Sequence, residues 1–303
     1  MAAPPPIPPP RASGFTSSTT LPLYWCRYGE PGAPLLLVLH GGPGAHHDYL
    51  LPQFLDLATA HELLFYDQRG GGRSRTDDPG PVTWQSHVED LERVIAELAV
   101  GATPAIAGYS WGGLLALLYL TECAAGRRSP APTRLALVDP APASRAWRAR
   151  FEAEFAARNA SAAVRAMRAA LEASGLRERD HAAYRQRAFE ISVAGYFAHP
   201  GHAAGLTPFR VTGRVQQQVW ESLGDFDLVP MLSRAVTEAI VVHGAQDPIP
   251  LDSSAAIARA LGARLVVLED CGHVPYVEQR GALFTILGDF LDPGRRTLHP
   301  SVP

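Results

Sequence analysis

The run Ala105-Ile-Ala-Gly-Tyr-Ser-Trp-Gly-Gly113 constrains this chain more than any other stretch. A short apolar run leads into Gly108-x-Ser110-x-Gly112, and a long apolar run, residues 114–120, follows at once. Strand, sharp turn and helix in that order form the context of a nucleophile elbow. The turn strains the serine backbone and crowds the residues two before and two after it, so glycine is needed at both. The hydroxyl is then presented at the end of a strand and the start of a helix, whose unpaired N–H groups favour an oxyanion. Taken alone, the motif equally describes loop glycines around an ordinary serine. Its flanks and its partners decide between the two.

The flanks repeat along the chain. Residues 35–39, 63–66, 134–138, 240–243 and 264–268 are short apolar runs without alternation. Such runs fit strands buried on both faces, as in a parallel sheet under helices. Residues 21–27 alternate loosely and predict an edge strand. Helices are predicted over 49–60, 83–98, 252–261 and 281–291. The second has Thr83 or Ser86 as cap and Val88, Leu91, Val94, Ile95 and Leu98 at helical spacing. Strands alternating with helices predict an α/β fold, a mostly parallel twisted sheet flanked by helices.

A chain of 303 residues is long for one compact unit and suits a core carrying an insertion. Residues 144–224 hold no β-rich apolar run; alanine, arginine and glutamate dominate, with aromatic residues interspersed. Helices are expected over 147–172 and 177–193, and a glycine- and proline-containing stretch then leads to residues 215–220. The division expected is a Pro-rich flexible tail (1–16), the first part of the core (17–143), a helical cap inserted after the sixth strand (144–229) and the second part of the core (230–303). The tail reads as an extended spacer, with a ligand for a proline-binding module as the alternative.

Several function classes are excluded. A net charge of −3 offers no basic surface for nucleic acid. No apolar run reaches a membrane-spanning length, and residues 1–10 lack the apolar segment of a signal peptide. Cys26, Cys123 and Cys271 are too few and too scattered for a disulfide framework or a zinc site. They read as free thiols of a cytoplasmic protein. No metal or cofactor is expected.

Every polar cluster follows a predicted strand. These are His40-Gly-Gly-Pro-Gly44, Asp67-Gln-Arg-Gly-Gly-Gly-Arg-Ser74, Ser110, Asp139-Pro140, Asp247-Pro248 and Cys271-Gly-His273. In a parallel sheet those positions share the edge where ligands bind. The second lacks the ending of a P-loop, and ion pairing of Asp67 with Arg69 or Arg73 is its simplest role. The order Ser110, Asp247, His273 matches a Ser–Asp–His triad behind a G-x-S-x-G elbow. Serine needs an imidazole to take its proton, and the imidazole needs a carboxylate to fix its tautomer. Asp139 is the rival acid. Cys271, beside the histidine, reads as a filler. The oxyanion donors expected are the N–H groups of Trp111 and Gly42.

With these residues in place the chain resembles the α/β-hydrolase superfamily, and within it the proline iminopeptidase group of serine peptidases. The motifs His40-Gly-Gly-Pro-Gly44, Asp67-Gln-Arg-Gly-Gly-Gly-Arg-Ser74, Gly108-Tyr-Ser-Trp-Gly-Gly113 and Gly272-His-Val-Pro-Tyr276 with Glu278 carry the resemblance. It spans about residues 20 to 292. It implies a triad of Ser110, Asp247 and His273, oxyanion donors at Gly42 and Trp111, and a helical cap over the site. In that family cap carboxylates hold the substrate's free amino group. Glu221, beside Trp220, and then Glu190 are the candidates here. Some members place a glutamate directly after the triad aspartate, where this chain has Pro248. The function expected is an acyl-enzyme serine hydrolase, monomeric or homo-oligomeric. It would release N-terminal proline or another small residue from short peptides or amides. The alternatives are an esterase or lactonase with the same triad, and a non-catalytic ligand receptor.

Overall fold

Residues 6–76 and 80–292 are described by a computed structural model. Eight strands make one sheet: β1 (Ala12–Phe15), β2 (Tyr24–Tyr28), β3 (Leu35–Leu39), β4 (Glu62–Tyr66), β5 (Ala105–Tyr109), β6 (Arg134–Val138), β7 (Glu238–Gly244) and β8 (Arg264–Leu268). Their order is β1-β2-β4-β3-β5-β6-β7-β8, antiparallel at the β1–β2–β4 edge and parallel from β4 to β8. The chain passes from β3 outward to β4 and then back to β5 on the other side. The loops after β3 and β5 therefore diverge, and a crevice opens between them at the carboxyl edge.

The runs without alternation are central strands because both faces are covered. Leu37 and Leu39 of β3 join the core under one face, while Leu36 and Val38 join the core under the other. The first core packs against α1 (Trp84–Leu98) and α2 (Trp111–Ala124). Thr83 and Ser86 both cap α1, each side chain bonding the other's backbone N–H. Helix α2 is buried from Trp111 through Thr121, as its uninterrupted apolar sequence requires.

Between β6 and β7 the chain forms α3 (Arg145–Asn159), α4 (Ala162–Ala173), α5 (Leu176–Arg179), α6 (His181–Val193), α7 (Gly213–Leu223) and α8 (Val229–Leu232). After β7 come α9 (Leu251–Leu261), α10 (Pro275–Glu278) and α11 (Arg280–Leu291). Among the described residues no helix is long and apolar enough to cross a membrane.

Four expectations change. Ala12–Phe15, placed in the flexible tail, pairs with β2 as an edge strand. The helix expected over 49–60 is two 3₁₀ turns, His47–Leu50 and Gln53–Thr59, with Pro52 between them lacking the N–H a helix needs. The helix expected over 147–172 breaks at Ser161, whose hydroxyl accepts the Val164 N–H and starts α4 afresh. The helix expected over 177–193 breaks at Asp180, whose carboxylate accepts the Ala182 and Ala183 N–H groups and starts α6 afresh.

Candidate functional site

Ser110 stands between β5 and α2 with φ 53° and ψ −119°, a conformation a non-glycine residue adopts only under constraint. The constraint is visible in its neighbours. A Cβ on Gly108 would lie 2.6 Å from the Gly112 carbonyl oxygen, and one on Gly112 would lie 2.2 Å from that of Leu39. The elbow glycines let α2 press onto the ends of β5 and β3.

His273 Nε2 lies 2.9 Å from Ser110 Oγ, and His273 Nδ1 lies 2.8 Å from Asp247 Oδ2. Three loops from separate parts of the chain thus bring the three expected side chains into one line. Burial pushes the His273 imidazole down to about 4, so it is neutral at pH 7. With the ring hydrogen on Nδ1 toward Asp247, the Nε2 lone pair faces the Ser110 hydroxyl. Burial also pushes Asp247 up, to about 7. The Asp247 carboxylate is held from its other side by the Ile249 N–H, 2.7 Å from Oδ1.

The histidine is fixed by its backbone. Its N–H donates to the Tyr196 carbonyl at 2.7 Å, and its carbonyl accepts from Tyr109 Oη at 2.8 Å. Glu278, quoted above in the last motif without a role, accepts from the N–H of Gly272 (2.7 Å), Ala198 and His199 (both 3.2 Å). It ties the histidine loop to the segment that follows α6.

The loop after β3 wraps the other side of Ser110. A Cβ on Gly41 would lie 2.8 Å from Ser110 Cβ, so only glycine fits beside Ser110. The Gly41 N–H already donates to Tyr49 Oη at 2.6 Å. Gly42 comes next and lines the cavity with its φ at 60°. Trp111 is the first residue of α2, where the N–H has no carbonyl one turn back. Its indole donates to Gln68 Oε1 (2.8 Å), and the Gln68 amide donates to the His40 carbonyl (2.7 Å). His40 and Gln68 thus brace both loops. They were quoted in the sequence motifs, but only their contacts reveal what they do.

Ser110, His273 and Trp111 open on a cavity of ≈ 900 Å³ between the sheet edge and the inserted helices. Aromatic side chains dominate its wall, among them Tyr49, Phe151, Phe155, Tyr196, Phe209 and Trp220. Trp220 packs edge-to-face on Trp111 (5.4 Å between centroids), with the Arg148 guanidinium 3.8 Å from the Trp220 ring centroid. Neither carboxylate expected to hold an amine lines this cavity. Glu190 is buried beneath α6, bonded to Gln186 and Arg187 and facing α4. Glu221 lies on the other side of α7 from the buried Val215 and Val219, bonded to Gln217. Helical spacing placed them on helices but not on the inward faces. The cavity's one acid among the described residues is Glu152, 2.7 Å from Arg148 Nε.

Asp67 pairs with Arg73 at 3.4 Å, whereas Arg69 turns to Asp90 at 2.6 Å. All three cysteines are free, and burial pushes the Cys271 thiol up, which suits a filler. Asp139 is fully buried next to Asp247, with no contact to His273's ring nitrogens.

Comparison with known proteins agrees with this architecture. A family model described as "Alpha/beta hydrolase family" matches residues 36–285. A proline iminopeptidase of Levilactobacillus brevis is 39% identical over 104 residues, 33% of this chain and 34% of that protein. One of Lactobacillus delbrueckii subsp. lactis is 26% identical over 280 residues, 86% of this chain and 90% of that protein. Among solved structures, a proline iminopeptidase of Mycobacterium smegmatis superimposes with a TM-score of 0.67 at 22% identity, over 93% of this chain and 98% of the other. An enol-lactonase of Burkholderia xenovorans LB400 superimposes with a TM-score of 0.61 at 22% identity, over 92% and 99%.

Proposed function

Because the chain belongs to the α/β-hydrolase family, we propose that it is a serine hydrolase in which Ser110 attacks an acyl carbon, His273 relays the proton and Asp247 orients the imidazole. The observation that carries this reading is the unbroken line from Ser110 Oγ to His273 Nε2 (2.9 Å) and from Nδ1 to Asp247 (2.8 Å), opening on a cavity. A substrate carbonyl seated between the N–H groups of Gly42 and Trp111 develops negative charge as Oγ adds. His273 takes the proton from Oγ and passes it to the leaving group. Water then repeats the sequence on the acyl-enzyme. Each oxyanion donor is worth about 3–4 kcal/mol of barrier in such sites.

The substrate class we infer first is a short peptide or amide with a free N-terminal residue, proline or another small one. The proline iminopeptidases among its relatives support this, and Glu152 is the cavity acid that would meet the ammonium. Esters or lactones are the second reading. Arg148 favours it, because it neutralises Glu152 and leaves Nη1 buried without an acceptor. With Glu152 already paired, the cavity wall offers an ammonium less than it offers a neutral acyl group.

One experiment addresses both levels. A fluorophosphonate should label the purified protein at Ser110, and labelling elsewhere or not at all ends the serine-hydrolase reading. Parallel assays of proline arylamide, its N-acetyl form and short acyl esters then separate the substrates. Turnover of the free-amine arylamide alone supports the first reading, and turnover of esters alone supports the second.

A further inference from the structure

Asp139 is a buried carboxyl group that the proposed relay does not use. It follows β6 as Ser110 follows β5, and it also holds a positive φ, 42°. Its Oδ1 accepts the Gly244 N–H at 2.8 Å. Its Oδ2 is sealed from solvent and meets no donor. Asp139, Asp247 and His243 each place a polar atom within 4.8 Å of the other two.

Two buried carboxylates side by side, one of them with an oxygen that meets no donor, cannot both be ionised without large cost. His243 does not relieve the charge. Its Nδ1 lies 3.5 Å from Asp139 Oδ1, but burial pushes the ring down to about 4 and leaves it neutral. Its Nδ1 lies 3.0 Å from the Ser254 hydroxyl. A cation among the three residues would have to displace bonds already made, since both Asp247 oxygens are engaged, by Ile249 and by His273. The other groups facing the pair are His273, Cys271, Tyr109, Tyr196, Tyr276 and Glu278, with Arg158 the cation acting on Asp247. The smallest addition that satisfies the geometry is a proton.

We propose that Asp139 is a positioning residue that stays protonated and donates its hydrogen to the Asp247 carboxylate, fixing that carboxylate toward His273; this rests on the relay proposed above. An ionised carboxyl has about four acceptor sites, so Asp247 can take this bond beside the two it already accepts. Desolvation and the neighbouring Asp247 charge both push Asp139 well above the usual carboxylate range, in keeping with that state. A protein whose Asp139 is neutral also keeps a single negative charge beside His273.

Infrared spectroscopy of the full chain tests this without substrate, so its result is separable from the fate of the hydrolase reading. At pH 7 the wild type should show a protonated-carboxyl band that moves on carboxyl-¹³C labelling of aspartate and is lost in Asp139→Asn. Wild-type protein without such a band overturns the proposal, even if the variant does not fold. Kinetics give the second arm. Asn keeps an N–H donor and tolerates positive φ, so Asp139→Asn should hold kcat to within about threefold. Asp139→Ala should lose about tenfold in kcat at unchanged KM, the scale of one hydrogen bond to a charged group. Equal losses in both variants, or a tightly bound metal ion at one equivalent in elemental analysis, would overturn it as well.

Discussion

Cys26, His47 and Asp67 line up on one side of the sheet much as Ser110, His273 and Asp247 do at its edge. Sγ lies 3.1 Å from His47 Nε2, and His47 Nδ1 lies 2.6 Å from Asp67 Oδ1. The atoms follow the same order at nearly the same spacing. What differs is the proton count and the access. Burial opposes charge on Asp67, but its bond to the His47 ring and the charge there, with the Arg73 N–H, outweigh that and hold it well below the usual carboxylate range. Burial opposes charge on His47 too, but its bonds to Asp67 and Cys26 prevail and raise it to about 10. His47 is therefore an imidazolium at pH 7 with no lone pair to accept a proton. Cys26 is 1% exposed and lies away from the cavity. The Cys26 line is a structural clamp between β2, the turn after β3 and the end of β4. His273, neutral and beside a cavity, has the lone pair that His47 lacks. A row of hydrogen bonds is the same object in both places; what differs is charge state and an opening onto a cavity.

The largest effect that tests this contrast is Ser110→Ala, for which kcat should fall by about 10⁶. Steady-state assays should find Cys26→Ala within about twofold of wild type, because a buried structural cysteine is inert. A comparable loss in the Cys26 variant would erase the distinction. Asp247→Asn should cost about 10⁴ in kcat by presenting the wrong tautomer. Asp67→Asn should instead cost about 3–5 kcal/mol in denaturant unfolding, as expected when one partner of a buried pair is removed, while the folded fraction keeps its kcat.

Acidity sharpens the comparison. The His273–Asp247 pair should lose kcat/KM as pH falls between about 7 and about 4, since an added proton either occupies the base or discharges its orienting acid. The His47 pKa is raised on folding. Its contribution to stability is thus complete below its unfolded value, about 6.5, and is lost as pH rises toward about 10. Thermal melts across alkaline pH should show that loss in wild type and its absence in His47→Gln. The smallest effect is at Glu152→Gln, which should raise KM by about threefold for free-amine substrates alone, the scale of a partly exposed ion pair. An equal rise for acetylated substrates would remove Glu152 from substrate binding.

The buried strands, the elbow and the order of Ser110, Asp247 and His273 were legible because each is written in local pattern: apolar runs, paired glycines, polar residues just past a strand. The edge strand β1 was not, because Ala-Ser-Gly-Phe carries no alternating signal and takes its form from pairing with β2. The inward faces of the inserted helices were not legible either. Helix α6 is alanine- and arginine-rich without a clear apolar stripe, so nothing in its composition says that Glu190 turns toward α4. Glu152 was overlooked for the same reason on α3, where no residue is fully buried. The Cys26 clamp needs three residues from three elements, and no spacing along the chain announces it.

Glu278 binds backbone N–H groups on both sides of the divide, at Gly272 and at Ala198 and His199, while Tyr196 holds the His273 amide. The inserted helices and the His273 loop are for this reason not separable modules. A chimera that grafts another relative's insertion onto this sheet should keep its activity only if residues 196–202 and 272–278 travel together. Drift in specificity within such proteins is then freer at α3 and α7 than in the short segment after α6.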